Sequence, residues 1–225
     1  SLSLILYKQK SLYTSLLSGE VILHGSRNFT IFLQPLFQFI DSFFVFSRET
    51  YFYNWEFSWD IKGAIMFTWC VMILHDAYFW LVHTSMHYFK PLYRTLHQKH
   101  HATGGDITVF NTAHGDILDV GLTITPFYMM LFLWVHCTSI WNPLYYMLLL
   151  FAINNVNLMG HCGYELPPWV YGPASLGALL FPGAQRPLHH YLHHIDPRVN
   201  RALYFTWWDK LTGTYLDVHP KLHLS

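Results

Sequence analysis

The sequence HTSMHYFKPLYRTLHQKHH, residues 83–101, is unusually rich in histidine and decides how the rest of the chain is interpreted. Its histidines form a pair four residues apart and then a triplet at positions i, i+3 and i+4: His83 and His87, then His97, His100 and His101. Because residues three and four apart are neighbours on a helix surface, each group is predicted to share one helix face. The stretch therefore predicts groups of imidazoles directed at a common site.

A second block, HHYLHH at residues 189–194, repeats the triplet with His190, His193 and His194. Neutral imidazole is the commonest protein ligand for a transition metal, and one ion rarely takes more than six ligands. The eight histidines of the three patches therefore predict more than one metal ion. A lone histidine in an apolar helix is usually a hydrogen-bonded core residue, but three groups with metal-ligand spacing favour a metal site. The blocks contain no cysteine, which argues against a thiolate zinc or iron–sulfur site.

The composition indicates a membrane protein. Of the 225 residues, 52% are hydrophobic, 19% aromatic and only 12% charged, well below the charged share of soluble proteins. Lys and Arg number 13 against 13 Asp and Glu, so the formal net charge is zero and no nucleic-acid partner is indicated. The length suits one domain.

Apolar runs predict an all-α, multi-pass membrane protein with about four transmembrane helices and a cytosolic helical cap that carries the histidine clusters. The expected spans are about 29–46, 61–82, 118–135 and 143–159. The second span is expected to continue into His83 as one helix. The expected organisation is an interfacial or truncated N-terminal segment at 1–28, a single membrane domain at 29–217 and a C-terminal tail at 218–225.

The distribution of basic residues predicts the orientation. Lys and Arg surround the histidine blocks, whereas the short turn at 136–142 contains neither, so the positive-inside rule places the histidine clusters in the cytoplasm. Residues 164–187 are rich in Pro and Gly and are predicted to form a loop with a short amphipathic helix at the interface. Trp207, Trp208 and Tyr215 suit either a membrane interface or internal packing.

Five segments in order carry a family resemblance: HTSMH (83–87), LHQKHH (96–101), HCGYELPPW (161–169), HHYLHH (189–194) and FTWWDKLTGTY (205–215). Over about residues 75–217 the chain resembles the fatty-acid-hydroxylase and sterol-desaturase superfamily of membrane histidine-box di-iron enzymes. The His83 to His87 spacing, YRTLHQKHH and AHGDILDVG are similar to the branch of 4-methylsterol oxidases and cholesterol 25-hydroxylase-like enzymes.

The resemblance implies a site for two iron ions, with dioxygen as co-substrate. Carried over block by block, it assigns nine metal ligands: His83, His87, His97, His100, His101, His161, His190, His193 and His194. Weaker candidates, as ligands or as neighbours of the ligands, are His189, His114, His75, Asn157 and Asp196. The four histidines His24, His136, His219 and His223 fall outside the pattern.

Carboxylates near such a site are expected to orient imidazoles through the second ring nitrogen. The candidates are Asp76, Asp106, Asp116, Asp119, Glu165 and Asp196. For each of them a helix-end or surface role is an equal alternative.

The predicted function is O2-dependent hydroxylation or desaturation of a membrane lipid by an oxidoreductase, with a sterol preferred. The alternatives are a fatty-acyl or sphingolipid hydroxylase of the same superfamily and, in another class, a histidine-rich metal carrier or an inactive relative. The sequence has no G-x-G-x-x-G flavin or nicotinamide fingerprint, so electrons are expected from a partner, and the resemblance implies a b-type cytochrome or another small redox protein. A membrane location is expected, in the endoplasmic reticulum of a eukaryote or the inner membrane of a bacterium.

Overall fold

A computed structural model of the protein describes residues 59–112, 114–138, 142–162 and 183–217. The α-helices in these ranges are α1 (Ile61–Tyr88), α2 (Lys90–Leu92), α3 (Ile117–Thr138), α4 (Pro143–Gly160), α5 (Pro187–Ile195) and α6 (Trp207–Thr212). A π-helical turn covers Tyr93–His97, and 3₁₀ turns cover His100–Thr103 and Val109–Asn111. The described residues contain no strand beyond one isolated bridge between Ala184 and Phe205, so the all-α prediction is confirmed for them.

Helix α1 begins and ends where its sequence requires. The Asp60 side chain caps the first turn by accepting a hydrogen bond from the Gly63 N–H at 2.9 Å. The helix ends at Tyr88 because Pro91, without an N–H, could not bond the carbonyl of His87 and would clash with it. Its 28 residues span about 42 Å at 1.5 Å per residue. As predicted, it runs without a break from the apolar stretch through His83.

Within the described residues, the evidence for a membrane-spanning segment comes from α1. Among them, α1 is the helix that is long and apolar enough to cross a bilayer, with a mean hydropathy of 1.6, and residues 144–160 form a shorter apolar helix. The predicted span at 29–46 and the predicted interfacial helix within 164–182 lie outside the described residues. The four-span topology and the domain boundaries therefore stay predictions.

Two contacts define how the long helices run. Tyr145 Oη, near the start of α4, donates a hydrogen bond to Asp60 Oδ2 at 2.5 Å, at the start of α1. A Cβ at Gly63 would collide with the same hydroxyl, so glycine is required for this approach. At the other end, Asp119 near the start of α3 contacts His97. Helices α1 and α4 are therefore parallel and α3 runs opposite to them.

The three long helices enclose one core. Buried residues of α1, α3 and α4 pack together with two residues of the C-terminal part of the chain: Phe67, Val71, Met72, Phe127, Leu131, Leu149, Ala152, Ile153, Tyr204 and Phe205. Large apolar side chains remain exposed on the outer faces of the same helices, among them Leu74, Leu81, Leu122, Met129, Met147 and Phe151. Helices apolar on both inner and outer faces suit a lipid surrounding.

Helix α5 covers the histidine-bearing end of this bundle. It packs against α4, and its Leu188 and Leu192 form a second small core with Ile107. The chain then continues without regular structure through residues 196–206 before α6 begins. This C-terminal cap brings the last histidine block over the ends of α1 and α4.

Candidate metal centre

Five imidazoles meet where α1, the turns after it and α5 come together. They belong to His83, His87, His97, His101 and His193, named here the five-histidine cluster. His83 lies at its centre, because its Nε2 is 2.9 Å from His97 Nε2 and 3.1 Å from both His87 Nε2 and His193 Nε2. His101 Nε2 joins the cluster at 3.1 Å from His97 Nε2.

Four further imidazoles form a second group beside the first. They belong to His100, His161, His190 and His194, named here the four-histidine cluster. His190 Nε2 lies 3.0 Å from His161 Nε2 and 3.2 Å from His194 Nε2. His161 Nε2 is 3.5 Å from His100 Nε2. The rings of His101 and His194 lie 4.6 Å apart between their centroids and link the two clusters.

The structure divides the sequence blocks between these clusters. The expectation that His97, His100 and His101 share one face is wrong, because His97 and His101, at i and i+4, belong to the five-histidine cluster, whereas His100, at i+3, belongs to the four-histidine cluster. In α5, His190 and His194 are four residues apart and stay together, whereas His193 is 100° from His194 around the helix and belongs to the other cluster. The triplet spacing therefore supplies both sites rather than one.

Main-chain carbonyls and one carboxylate determine which ring nitrogen carries the proton. His83 Nδ1 donates to the carbonyl oxygen of Arg201, and His193 Nδ1 donates to that of Val199, each at 2.7 Å. A carbonyl oxygen can only accept, so Nδ1 is the protonated nitrogen and the Nε2 lone pair faces the cluster.

The other oriented imidazoles follow the same rule. His97 Nδ1 donates to Asp119 Oδ2 at 2.8 Å. In the four-histidine cluster, His161 Nδ1 donates to the carbonyl of Asn157 at 2.9 Å, and His100 Nδ1 donates to that of His114 at 3.1 Å. Each oriented ring again directs an unprotonated Nε2 inward.

These donor sets fit metal ions. Unprotonated nitrogens about 3 Å apart repel one another unless a cation lies between them. Histidine nitrogens bind metals at roughly 2.0–2.1 Å, and two such bonds at right angles place their nitrogens about 3.0 Å apart. Burial lowers the pKa of His100 and of His161 to about 4, which keeps both imidazoles neutral near pH 7. All nine histidines assigned by resemblance are thus brought together with donor atoms suited to two transition-metal ions.

Two of the weaker candidates use both ring nitrogens elsewhere. His75 Nε2 donates to the carbonyl of Thr123 at 2.8 Å and its Nδ1 accepts from Tyr204 Oη at 2.9 Å. His189 Nδ1 accepts from the Arg186 N–H at 3.1 Å, and its Nε2 donates to Asp217 at 3.0 Å. Neither residue belongs to a cluster, because hydrogen bonds within the protein already occupy both nitrogens.

The remaining weaker candidates differ in their positions. Asp196 forms an ion pair with Arg198 at 2.8 Å, which is the surface role left open for it, and its role beside the ligands stays a prediction. Both Asn157 and His114 touch the site through the carbonyls that orient His161 and His100. Their side chains line the cavity described below.

Among the predicted carboxylates, Asp119 is the one seen to orient a cluster imidazole. Asp76 accepts hydrogen bonds from the main chain of residues 203–205, and Asp116 accepts from the Leu118 N–H, which is the helix-end role left open for it. Glu165 lies outside the described residues. Sequence reasoning missed the carbonyls of Val199 and Arg201, because any side chain can accompany a main-chain acceptor.

A partly open cavity lies against both clusters, between α1, α3 and α4. Its walls are mostly apolar and include Phe79, Val120, Phe127, Leu150 and Ile153. Histidines of both clusters line it as well: His83, His97, His100, His161 and His190. An apolar cavity that ends on a metal-binding centre can hold a hydrocarbon group beside that centre.

Comparison with known proteins gives the family. The family model described as fatty acid hydroxylase matches residues 68–214. A cholesterol 25-hydroxylase-like protein of Danio rerio is 29% identical over 69% of this chain and 55% of its own length. Methylsterol monooxygenase 1 of Rattus norvegicus is 26% identical over 76% of this chain and 55% of its own. A very-long-chain aldehyde decarbonylase of Oryza sativa subsp. japonica is 27% identical over 69% of this chain and 24% of its own.

The family model covers both histidine clusters and most of the length of the helices that carry them. The chain spans about half the length of the sterol-oxidising relatives, and no solved structure matches it significantly. The relatives' names agree with the predicted oxidoreductase class and with the predicted branch. Because the family model matches well over half of the chain, from α1 to the end of α6, this protein belongs to the fatty acid hydroxylase family.

Proposed function

We propose that this protein is a membrane di-iron oxygenase that uses dioxygen and two electrons to hydroxylate or desaturate a lipid, with a sterol as the preferred substrate. One observation carries the proposal: two all-imidazole clusters of five and four histidines lie side by side at the end of an apolar cavity. Such a donor set with an adjacent hydrocarbon site suits oxidation of an unactivated C–H bond.

The nine cluster histidines would hold two iron ions through Nε2. Iron bound there would supply the activation of dioxygen and the removal of hydrogen from carbon. The chain itself keeps the imidazoles neutral by burial and orients them through carbonyls and Asp119. In hydroxylation, one oxygen atom enters the substrate and the other leaves as water, with two electrons and two protons consumed. In desaturation, the substrate loses two hydrogens and both oxygen atoms leave as water.

The cavity determines which carbon is presented. Phe79 and Val120 line it on the side of α1 and α3, and Leu150 and Ile153 form the wall supplied by α4. Polar side chains, Thr112, Asn154 and Asn157, interrupt these apolar walls and can bind a substrate hydroxyl. An apolar body with one hydroxyl describes a sterol, which agrees with the substrates named for two of the relatives.

A fatty-acyl chain is the second candidate substrate. The family name and the aldehyde decarbonylase relative favour it, since both refer to long alkyl chains. An acyl chain would use the same apolar walls without requiring the polar groups. The two candidates therefore differ in their dependence on Asn154 and Asn157.

Electrons would come from a small redox protein, such as a b-type cytochrome, at the face that carries the histidine clusters. Lys90, Arg94 and Lys99 are exposed there and could contact an acidic partner or lipid headgroups. Arg198 and Arg201 are less available, because Arg198 is paired with Asp196 and Arg201 donates to the carbonyl of Pro197. The proposed location is a membrane, with this face in the cytoplasm.

The test is metal content followed by turnover. Full-length protein in mild detergent, loaded with ferrous iron without oxygen, should bind two irons per chain. With dioxygen, a reductant and a lipid extract, mass spectrometry should then find a sterol that has gained one oxygen atom or lost two hydrogen atoms. His100→Ala should lose one iron and the turnover, whereas His223→Ala, outside the histidine blocks, should retain both.

The outcomes separate the candidates. A modified acyl chain with unmodified sterol would select the second substrate. One iron or none in folded wild-type protein, or unchanged turnover in His100→Ala, would defeat the proposal and favour a metal carrier or an inactive relative.

A further inference from the structure

The irregular segment Val199–Phe205 orients two ligands of the five-histidine cluster. The carbonyls of Val199 and Arg201 accept the Nδ1 protons of His193 and His83, the central ligand of that cluster. Apart from the bridge between Phe205 and Ala184, the segment has no helix or strand to hold its main chain in place. Something else must therefore hold these two carbonyls at the imidazoles.

Two buried carboxylates bind the main chain at and after the Arg201 carbonyl. The Asn200 N–H, which shares a peptide group with the Val199 carbonyl, donates to the carbonyl of Thr214 at 3.0 Å. Asp209 accepts hydrogen bonds from the N–H groups of Arg201 and Ala202, at 2.9 and 3.0 Å. Asp76 of α1 accepts from the next three N–H groups, those of Leu203, Tyr204 and Phe205, at 2.8, 2.8 and 3.2 Å. Five consecutive amides are thus bound by two side chains with no solvent exposure.

Side-chain bonds secure both ends of the segment. Asn200, at φ +49°, exchanges hydrogen bonds with the main chain of Leu216 in both directions and donates to the carbonyl of His189. The Tyr204 hydroxyl donates to His75, which in turn donates to Thr123 of α3. The segment is therefore tied to α1, α3 and α5 through polar groups.

We infer that Asp76 and Asp209 are positioning residues for the metal bound by the five-histidine cluster, acting through the main chain of residues 201–205 rather than on an imidazole. The inference rests on the proposed metal site. Asp76 is seven residues, or about two turns, before His83 on α1, so one helix carries both the central ligand and the carboxylate that places its acceptor.

The four-histidine cluster does not share this dependence. His161 donates to the carbonyl of Asn157 within the same helical turn, and His100 donates to that of His114. Neither carbonyl belongs to residues 199–205. A change at Asp76 should therefore weaken one metal site and spare the other.

The decisive substitution is Asp76→Asn. It is nearly isosteric, but its amide group turns an N–H toward one of the three main-chain N–H groups that the carboxylate accepts, so the segment must shift. We expect iron at the five-histidine cluster to bind about 10–100-fold more weakly, the range for residues that support metal ligands. The measurement is anaerobic titration of the full chain with ferrous iron against a competing chelator.

Combining Asp76→Asn with a variant that has only one intact cluster shows at which metal site the loss of affinity occurs. In His100→Ala protein, where the five-histidine cluster is intact, Asp76→Asn should remove the remaining tightly bound iron. In His83→Ala protein, where the four-histidine cluster is intact, Asp76→Asn should leave iron affinity unchanged. Asp60→Asn is the matched control, because it makes the same substitution at the other end of α1 and should leave both irons bound.

Asp209→Asn repeats the test from another helix and should give the same selective loss. Equal weakening at both sites, or wild-type affinity in both variants, would overturn the inference. If neither variant folds while Asp60→Asn does, the carboxylates serve folding alone and the inference is also overturned. Wild-type protein with two irons and no lipid turnover would defeat the proposed function but leave this inference standing.

Discussion

The two histidine clusters are adjacent and use the same ring nitrogen, yet they are oriented in different ways. In the five-histidine cluster, the acceptors for Nδ1 come from α3 and from an irregular segment more than a hundred residues beyond His83. In the four-histidine cluster, the acceptor for His161 lies four residues before it on the same helix. The first cluster therefore depends on long-range packing, whereas the second depends partly on local helix geometry.

This difference predicts which kind of substitution should weaken metal binding most at each cluster. A site with five ligands has one more donor than the other, but its orientation requires several distant contacts. The four-histidine cluster has one ligand fewer, and the hydrogen bond that orients His161 is local, to the carbonyl of Asn157. Loss of a ligand should consequently be most damaging at the four-histidine cluster, and loss of a supporting residue should be most damaging at the five-histidine cluster.

The largest effect is expected from removing ligands. His161→Ala leaves three imidazoles in its cluster, whereas His101→Ala leaves four in the other. We expect the loss of iron affinity to exceed about 100-fold for His161→Ala and to be smaller for His101→Ala. Competition with a chelator measures both affinities, and equal losses would remove the proposed distinction.

A smaller effect is expected from the supporting carboxylate Asp119. In Asp119→Asn the acceptor for His97 Nδ1 loses its charge, so the hydrogen bond weakens and iron at the five-histidine cluster should bind about 10-fold more weakly. The control is Asp116→Asn on the same turn, since Asp116 bonds the Leu118 N–H and no imidazole. Iron titration of both variants is the measurement. A loss of iron affinity confined to the four-histidine cluster would contradict the proposed difference between the two clusters.

The smallest effect is expected far from both clusters. Tyr145→Phe removes the hydrogen bond to Asp60 where α4 and α1 begin. This contact is at the opposite ends of those helices from His83 and His161. The melting temperature should fall by a few degrees at most, with both irons retained. Loss of iron in this variant would show that the clusters depend on the packing of the whole bundle.

Much of the helical architecture could be predicted from residue patterns. Apolar runs gave helices close to α1, α3 and α4, because an all-apolar run of that length is stable as a helix in lipid. The end of α1 follows from Pro91, and the continuity of α1 through His83 follows from the lack of a helix breaker before it. The number of membrane spans and the orientation stay predictions.

The sequence predicted which histidines form the site but not how they are arranged in it. Spacing and resemblance indicated the nine histidines that the structure brings together, but they placed each triplet on one face. The structure instead separates His100 from His97 and His101, and His193 from His190 and His194. Asp196 was a candidate because it follows the last block closely, yet its carboxylate turns to Arg198. Nearness in sequence does not fix the direction of a side chain outside a regular helix.

The family, the helices and the identity of the histidines follow from the sequence alone, since these depend on residue type and on spacing along one element. The folded structure was needed to see how the histidines divide into five and four, that Asp119 orients His97, and that Asp76 and Asp209 bind the main chain of residues 201–205 behind His83. The physical reason is that a main-chain acceptor carries no side-chain signature, and its position depends on contacts between residues distant in sequence.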